Sequence, residues 1–182
     1  NLRILVGSDG KRGVKTKVEP TLQEAPGVYN DTILAGLDYL LMEMGKRKML
    51  AVLYLNNSWE WSGGYGYYLE QAGLGQAPRP NEDGYPAFMN FVAKYASCEK
   101  AHQLFYDYVK FILTRTNRYT KKKYKDDPAI MSWQIGNEPR AFSKEQLPAF
   151  EKWLGEASKL IRSLDKNHLI SIGSEGKWGC EG

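Results

Sequence analysis

Four short apolar runs punctuate the chain: LRILV (2–6), MLAVLYLNN (49–57), AIMSWQI (129–135) and LISIGSEG (169–176). Between them, apolar residues recur at the steps that align them on one face of a helix. From Asp31, a residue type that caps helices, the series is Ile33, Leu34, Leu37, Leu40, Leu41 and Met44. From about Glu99 it is Leu104, Phe105, Tyr108, Val109 and Ile112. A third series, Leu147, Phe150, Leu154, Ala157, Ile161 and Leu164, follows Ser143 and Gln146, which have the spacing of a capping box. Strands that alternate with helices need crossover connections, so the four strands are expected to run parallel. Their near-continuous apolar character predicts a sheet covered on both faces.

Two α/β architectures satisfy this order: a doubly wound open sheet and a (β/α) barrel. The first run closes at Gly7 without a glycine-rich phosphate fingerprint, which weakens the nucleotide-binding version. Polar residues gather instead behind each strand: Gly7-Ser8-Asp9, Asn56-Asn57, Asn137-Glu138 and Ser174-Glu175. A barrel builds its active site at that end of its strands. Four strands are half of the eight in a (β/α)8 TIM barrel, and the 182 residues fall short of the ~250 typical of that fold. The chain opens on Asn1 and enters a strand almost at once, the pattern of a processed or truncated piece. No repeat, low-complexity tract or linker divides it, so residues 1–182 read as one partial domain.

Composition excludes several classes. The net charge of +4 owes much to Lys121, Lys122, Lys123 and Lys125, but Asp126 and Asp127 follow directly. A solvated loop is expected there, with no nucleic acid as partner, since basic stripes that bind nucleic acid extend along a face. No apolar run approaches the ~18 residues of a membrane span. Cys98 and Cys180 have no metal-site spacing and are too few for a disulfide framework, so no metal is expected. His102 falls within a helix pattern and His168 just ahead of a strand, both structural positions.

Chemistry concentrates where SWQIGNEPR (132–140) breaks off. Pro139 cannot donate to a sheet ladder and biases its predecessor away from helix. The strand therefore ends with Asn137 and Glu138 at its tip. A carboxyl backed by an apolar strand can be held protonated by desolvation, which is what a general acid requires. Asn137 offers a donor and an acceptor, suited to a sugar hydroxyl. Strict alternation would send the two side chains to opposite faces, so a bulge or sharp exit is expected here. The alternative is a merely polar strand exit.

A second constellation is SWEWSGGYGYY (58–68), at the start of a long Gly-, Pro- and aromatic-rich stretch read as a loop up to about residue 98. Trp59, Trp61, Tyr65, Tyr67 and Tyr68 offer flat apolar faces with polar rims, which suit a pyranose ring. The competing explanation is a small core that pins the loop. Trp59 follows the strand tip directly and is the stronger candidate for a sugar platform, with Trp61 next.

In LRILVGSDG, LNNSWEWSGG, WQIGNEPR and SLDKNHLISIGSEG, in that order, the chain resembles glycoside hydrolase family 5, most closely its mannan-degrading members. The resemblance implies a (β/α)8 TIM barrel that cleaves β-1,4-mannosidic bonds with retention, without a cofactor. Glu138 matches the acid/base at the end of barrel strand four, and Asn137 the asparagine that contacts the sugar 2-hydroxyl. Arg3 matches an arginine on strand two that bonds the nucleophilic carboxylate. Trp59 matches an aromatic platform on the glycone side. By this register the chain runs from barrel strand two to strand five.

The family's nucleophile is a second glutamate at the end of strand seven, and nothing here corresponds to it. Strand one, a histidine-bearing strand six and the tryptophan of strand eight are also absent. Glu175 is close enough in topology to act as a second carboxylate, but its surroundings match a non-nucleophilic stretch. The chain alone is therefore expected to be inactive, with unpaired strand edges that recruit a complementary half-barrel or a second copy. The expected substrate is mannan, galactomannan or glucomannan, and a polymeric substrate implies an extracellular or cell-surface setting. A family 5 β-glucanase and a non-catalytic carbohydrate-binding protein remain as alternatives.

Overall fold

The computed structural model describes residues 1–10 and 17–176. Cys180, the second cysteine noted above, lies outside them; Cys98 is a free thiol. The elements are β1 (Leu2–Leu5), β2 (Gln23–Ala25), β3 (Val28–Tyr29), α1 (Asp31–Lys46), β4 (Ala51–Tyr54), α2 (Gly64–Ala72), α3 (Pro80–Asp83), α4 (Tyr85–Val92), α5 (Glu99–Thr114), β5 (Ile130–Gln134), α6 (Leu147–Leu164) and β6 (Leu169–Ser171). Short 3-10 turns occupy Glu60–Ser62, Ala93–Ser97 and Tyr124–Asp126. β1, β4, β5 and β6 form one sheet in that order, every neighbour parallel. β2 and β3 make a small antiparallel hairpin in the connection after β1.

The parallel sheet and its three crossover helices stand where the periodicities put them. The caps differ. Asn30, not Asp31, caps α1: its Oδ1 accepts from the backbone N–H groups of Thr32 and Ile33 at 3.1 and 3.2 Å. Asp31 lies in the first turn, where a carboxylate still favours the positive end of the helix dipole. Ser143 Oγ accepts from the Gln146 N–H at 3.2 Å, but Gln146 returns no side-chain bond, so only half of the capping box exists. Leu147, counted on the apolar face of α6, is 46% exposed; Trp153, outside that count, is buried. Strands are shorter than their apolar runs, because residues 55–57 and 172–176 have left the regular ladder.

The larger correction concerns residues 58–98. This stretch is mostly helical, and Tyr65, Tyr67 and Tyr68 sit on α2 with 1, 2 and 0% exposure. They belong to the core. The glycines that signalled a loop bracket the helix instead: Gly63 and Gly64 take positive φ at its start, and Gly73 closes it in the left-handed conformation.

The core lies between the sheet and one layer of helices. Leu37, Leu41 and Met44 of α1, Phe105, Tyr108 and Ile112 of α5, and Trp153 and Ile161 of α6 close on Leu53, Trp133 and Ile135. Each fully buried aliphatic or aromatic side chain of this kind contributes about 1.5–3 kcal/mol. The central strands β4 and β5 are largely buried, whereas Leu2 and Leu169 on the two edge strands are 40% and 64% exposed.

Two polar clusters lock the end of the sheet away from the strand tips. Asp38, fully buried on α1, accepts from Arg115, Arg118 and the Tyr124 hydroxyl. Desolvation pushes its carboxyl up, and the bonds from Arg115 and Tyr124 outweigh that and hold it below the usual range. Asp165 Oδ2 accepts from Trp133 Nε1 at 2.6 Å and lies 2.6 Å from His168 Nδ1. His168 is thus a strand anchor, and His102 reaches the Tyr95 carbonyl from Nε2 at 2.7 Å. Lys121, Lys122 and Lys123 are exposed on a turn ahead of β5.

Candidate active site

Beyond β5 the ladder continues in a looser form. The Asn137 N–H donates to the Asn56 carbonyl at 2.9 Å, and the Ser58 N–H donates to the Asn137 carbonyl at 3.2 Å. On the other side the Glu138 N–H donates to the Gly173 carbonyl at 3.0 Å. Glu138 itself has φ of +50°, a left-handed conformation that costs a non-glycine residue about 1 kcal/mol or more. This is the sharp exit expected of the strand. It breaks the alternation, so Asn137 and Glu138 line one groove rather than opposite faces.

That groove, about 530 Å³, is lined by Arg3, Trp59, Glu60, Trp61, Tyr85, Asn137 and Glu138. Trp59 Nε1 donates to Glu138 Oε2 at 2.6 Å. Arg3 Nη2 donates to Asn137 Oδ1 at 3.0 Å, and its Nε donates to Gln134 Oε1 at 2.6 Å. The same guanidinium lies 4.2 Å over the Tyr54 ring. Asn137 Nδ2 donates to Asn57 Oδ1, which also takes the Trp59 N–H, so one buried amide ties the strand tip to the aromatic loop.

The loop is seated by close backbone approach. A Cβ on Gly64 would stand 2.0 Å from the Asn57 carbonyl oxygen, and one on Gly63 would stand 2.3 Å from that of Asp9. Asp9 is fully buried, its carboxyl pushed up to about 7 by desolvation, against which the Gln23 amide bond pulls only partly. Its backbone N–H donates to the Ser62 carbonyl at 2.8 Å.

Comparison with known proteins agrees with this arrangement. The family model described as GH family 5 beta-mannosidase-like matches residues 1–182. The chain belongs to glycoside hydrolase family 5. Among curated family 5 relatives, mannan endo-1,4-beta-mannosidase 4 of Solanum lycopersicum is 37% identical over 158 residues, covering 87% of this chain and 37% of that protein. Mannan endo-1,4-beta-mannosidase 1 of Arabidopsis thaliana is 35% identical over 158 residues, covering 87% and 35%. The solved family 5 mannosidase of Rhizomucor miehei superimposes with a TM-score of 0.87 at 35% identity, covering 97% of this chain and 42% of that one. The parallel arc is accordingly part of a (β/α)8 TIM barrel. The chain spans little more than a third of the length of the curated relatives it matches.

All five residues selected from sequence (Arg3, Trp59, Trp61, Asn137 and Glu138) meet in this family 5 groove. Trp59 is both wall and packing element: its indole stacks offset on Phe88 at 6.2 Å, meets Phe142 edge-on, and carries the Arg140 guanidinium at 5.1 Å. Glu175 forms an ion pair with Arg140. Sequence reasoning passed over Glu60, Tyr85 and Arg140. Glu60 and Arg140 stand inside motifs already singled out, whereas Tyr85 lay in the stretch misread as loop. Among the described residues no three His, Cys, Asp or Glu side chains are grouped to hold a metal ion, and no helix is long and apolar enough to cross a membrane.

Proposed function

We propose that the protein carrying this chain is an endo-acting β-1,4-mannanase that retains anomeric configuration, with Glu138 as its acid/base. The observation that carries this reading is the Trp59 Nε1–Glu138 Oε2 bond of 2.6 Å inside a groove shared with Asn137 and Arg3. The indole holds one carboxylate oxygen, leaving Oε1 as the oxygen that delivers a proton to the departing glycosidic oxygen and later takes one from water. Asn137, with its Oδ1 and Nδ2 pinned by Arg3 and Asn57, is positioned to meet the 2-hydroxyl of the sugar at the cleavage point. Trp59 and Trp61 supply flat walls against which the C–H faces of pyranose rings pack. The relatives named mannan endo-1,4-beta-mannosidases support mannan as substrate.

Retention needs a second carboxyl about 5–5.5 Å from the first. In this reading residues 1–182 supply barrel strands two to five, here β1, β4, β5 and β6, and the nucleophile comes from outside them. Glu175 is committed to Arg140. The open edges of β1 and β6 are where the remaining strands, a complementary half-barrel or a second copy would pair. A polymeric wall substrate places the enzyme outside the cell or on its surface. The decisive test is reducing-sugar release from mannan. The isolated 182-residue chain is expected to show none, and the barrel completed by the missing strands is expected to show activity that Glu138→Gln removes. Release by the isolated chain, itself abolished by Glu138→Gln, would overturn the assignment of the nucleophile.

A further inference from the structure

Among the described residues, four that are not glycine have positive φ: Lys48, Lys121, Glu138 and Phe142. Lys48 and Lys121 are exposed, in the connections that follow α1 and α5. The other two stand four positions apart in the segment that leaves β5. Glu138, with φ of +50°, turns the chain out of the strand, and Phe142, with φ of +60°, turns it again. A left-handed backbone suits glycine but is an outlier for a bulky side chain. Such strain persists only where the surroundings over-determine it, and it gathers at functional sites.

What holds Phe142 is its ring. It meets Trp59 at 5.6 Å and 87°, Phe88 at 6.4 Å and 84°, and Tyr65 at 6.5 Å and 83°, each edge-to-face. Those partners come from the loop after β4, from α4 and from α2. Phe88 in turn stacks on Trp59, so Trp59, Phe88 and Phe142 touch pairwise. Aromatic pairs in this geometry attract beyond the area they bury. The segment 138–142 grips the same loop twice more: the Arg140 N–H donates to Ser58 Oγ at 3.2 Å, and Glu138 Oε2 accepts from Trp59 Nε1 at 2.6 Å.

These contacts close a circuit. From the Glu138 carboxylate it runs to the Trp59 indole N–H, through the indole to the Phe142 ring, and back along five residues of backbone to Glu138. An extended or right-handed backbone at position 142 would redirect the ring and open it. We infer that Phe142 is a positioning residue for the acid/base: its ring fixes the Trp59 indole against the Glu138 carboxylate, and the left-handed backbone is the strain this placement requires. Its mechanistic meaning rests on the function proposed above for Glu138; the ring contacts do not depend on it. Plain packing is the competing account, since Phe142 is partly buried against the core. Packing alone would make activity follow stability, whereas positioning separates the two.

The experiment compares Phe142→Ala, Phe142→Gly and Phe142→Tyr in the complete enzyme. Alanine deletes the ring and keeps the strain, whereas glycine deletes the ring and relieves it, so the glycine variant is expected to melt a few degrees above the alanine variant. Both are nonetheless expected to lose about tenfold or more in kcat on mannohexaose, with KM changed less than about twofold. Phe142→Tyr, which keeps the ring, is expected to stay within about twofold of the parent. The indole N–H resonance of Trp59, assigned by its disappearance in Trp59→Phe, is expected to shift and to exchange faster with solvent in both ring-deleted variants. Should the alanine variant not fold, the glycine and tyrosine variants carry the comparison. Activity recovered along with melting temperature from alanine to glycine, or an indole resonance unmoved by loss of the ring, would overturn the inference. Absence of mannan cleavage by the parent would remove the hydrolase reading, and the resonance would still decide whether Phe142 holds Trp59.

Discussion

The indole N–H of Trp59 donates to Oε2 of Glu138 at 2.6 Å, joining the loop after β4 to the tip of β5 across 79 positions of sequence. One residue is read as platform and the other as acid, and this bond ties them together: in the function proposed above, the donor fixes which carboxylate oxygen is held. Trp59→Phe keeps a ring and deletes the donor. In the complete enzyme it is expected to lower kcat/KM on mannohexaose about tenfold, equivalent to one hydrogen bond of roughly 1.4 kcal/mol. Unchanged steady-state kinetics would remove the pairing from the mechanism.

Arg3 acts through a fork. It bonds Gln134 through Nε and Asn137 through Nη2 while its plane covers the Tyr54 ring. Lysine has neither the fork nor the planar stacking surface. Arg3→Lys is therefore expected to behave as a damaging change, with kcat/KM on manno-oligosaccharides falling by about tenfold or more as Asn137 loses its orientation. Kinetics within about twofold of the parent would show that Asn57 alone suffices to hold Asn137.

Asp9 predicts a pH dependence of stability. Its folded value, about 7, stands above the ordinary 3.8 because burial disfavours the charge. Between these values the folded protein binds the proton and the unfolded chain does not, so stability falls as pH rises from about 4 to 7 and the loss is complete above that. Asp9→Asn keeps the acceptor for Gln23 and removes the charge. Denaturant unfolding at pH 5 and pH 8 is expected to show a decline of a few kcal/mol for the parent, at roughly 1.4 kcal/mol for each tenfold difference in proton affinity between the folded and unfolded chains, and a flatter response for the variant. Parallel declines in both proteins would place the effect elsewhere.

Gly64 carries the register of the aromatic loop. With φ of +56° and a hypothetical Cβ 2.0 Å from the Asn57 oxygen, alanine cannot enter without moving Asn57, which bonds Asn137 and Trp59. Gly64→Ala is expected to destabilise by about 2–4 kcal/mol and to lower activity further by displacing the groove. A melting temperature equal to the parent's would show that the loop relaxes freely.

The order of the four parallel strands and of α1, α5 and α6, and the strand tip at Asn137 and Glu138, were legible because they rest on local patterns. Helical spacing along α1, α5 and α6, and Pro139 closing a strand behind Asn137 and Glu138, depend on neighbouring residues alone. The family resemblance then brought in Arg3, whose role no local pattern exposes. What sequence could not reveal was where long-range contacts override local signals. Gly63, Gly64 and Gly73 read as loop punctuation, but tertiary packing uses them to start and close α2 and turns Tyr65, Tyr67 and Tyr68 into core. Likewise Tyr85, at the start of α4, meets Trp59 edge-on, a contact that no local pattern announces. Alternation warned that Asn137 and Glu138 could not both face one groove in a regular strand; only the folded chain decided it, by holding Glu138 left-handed between the Asn56 and Gly173 carbonyl ladders. Residues adjacent in sequence constrain one another through φ and ψ, whereas those joined across the sheet are set by packing that no single segment encodes.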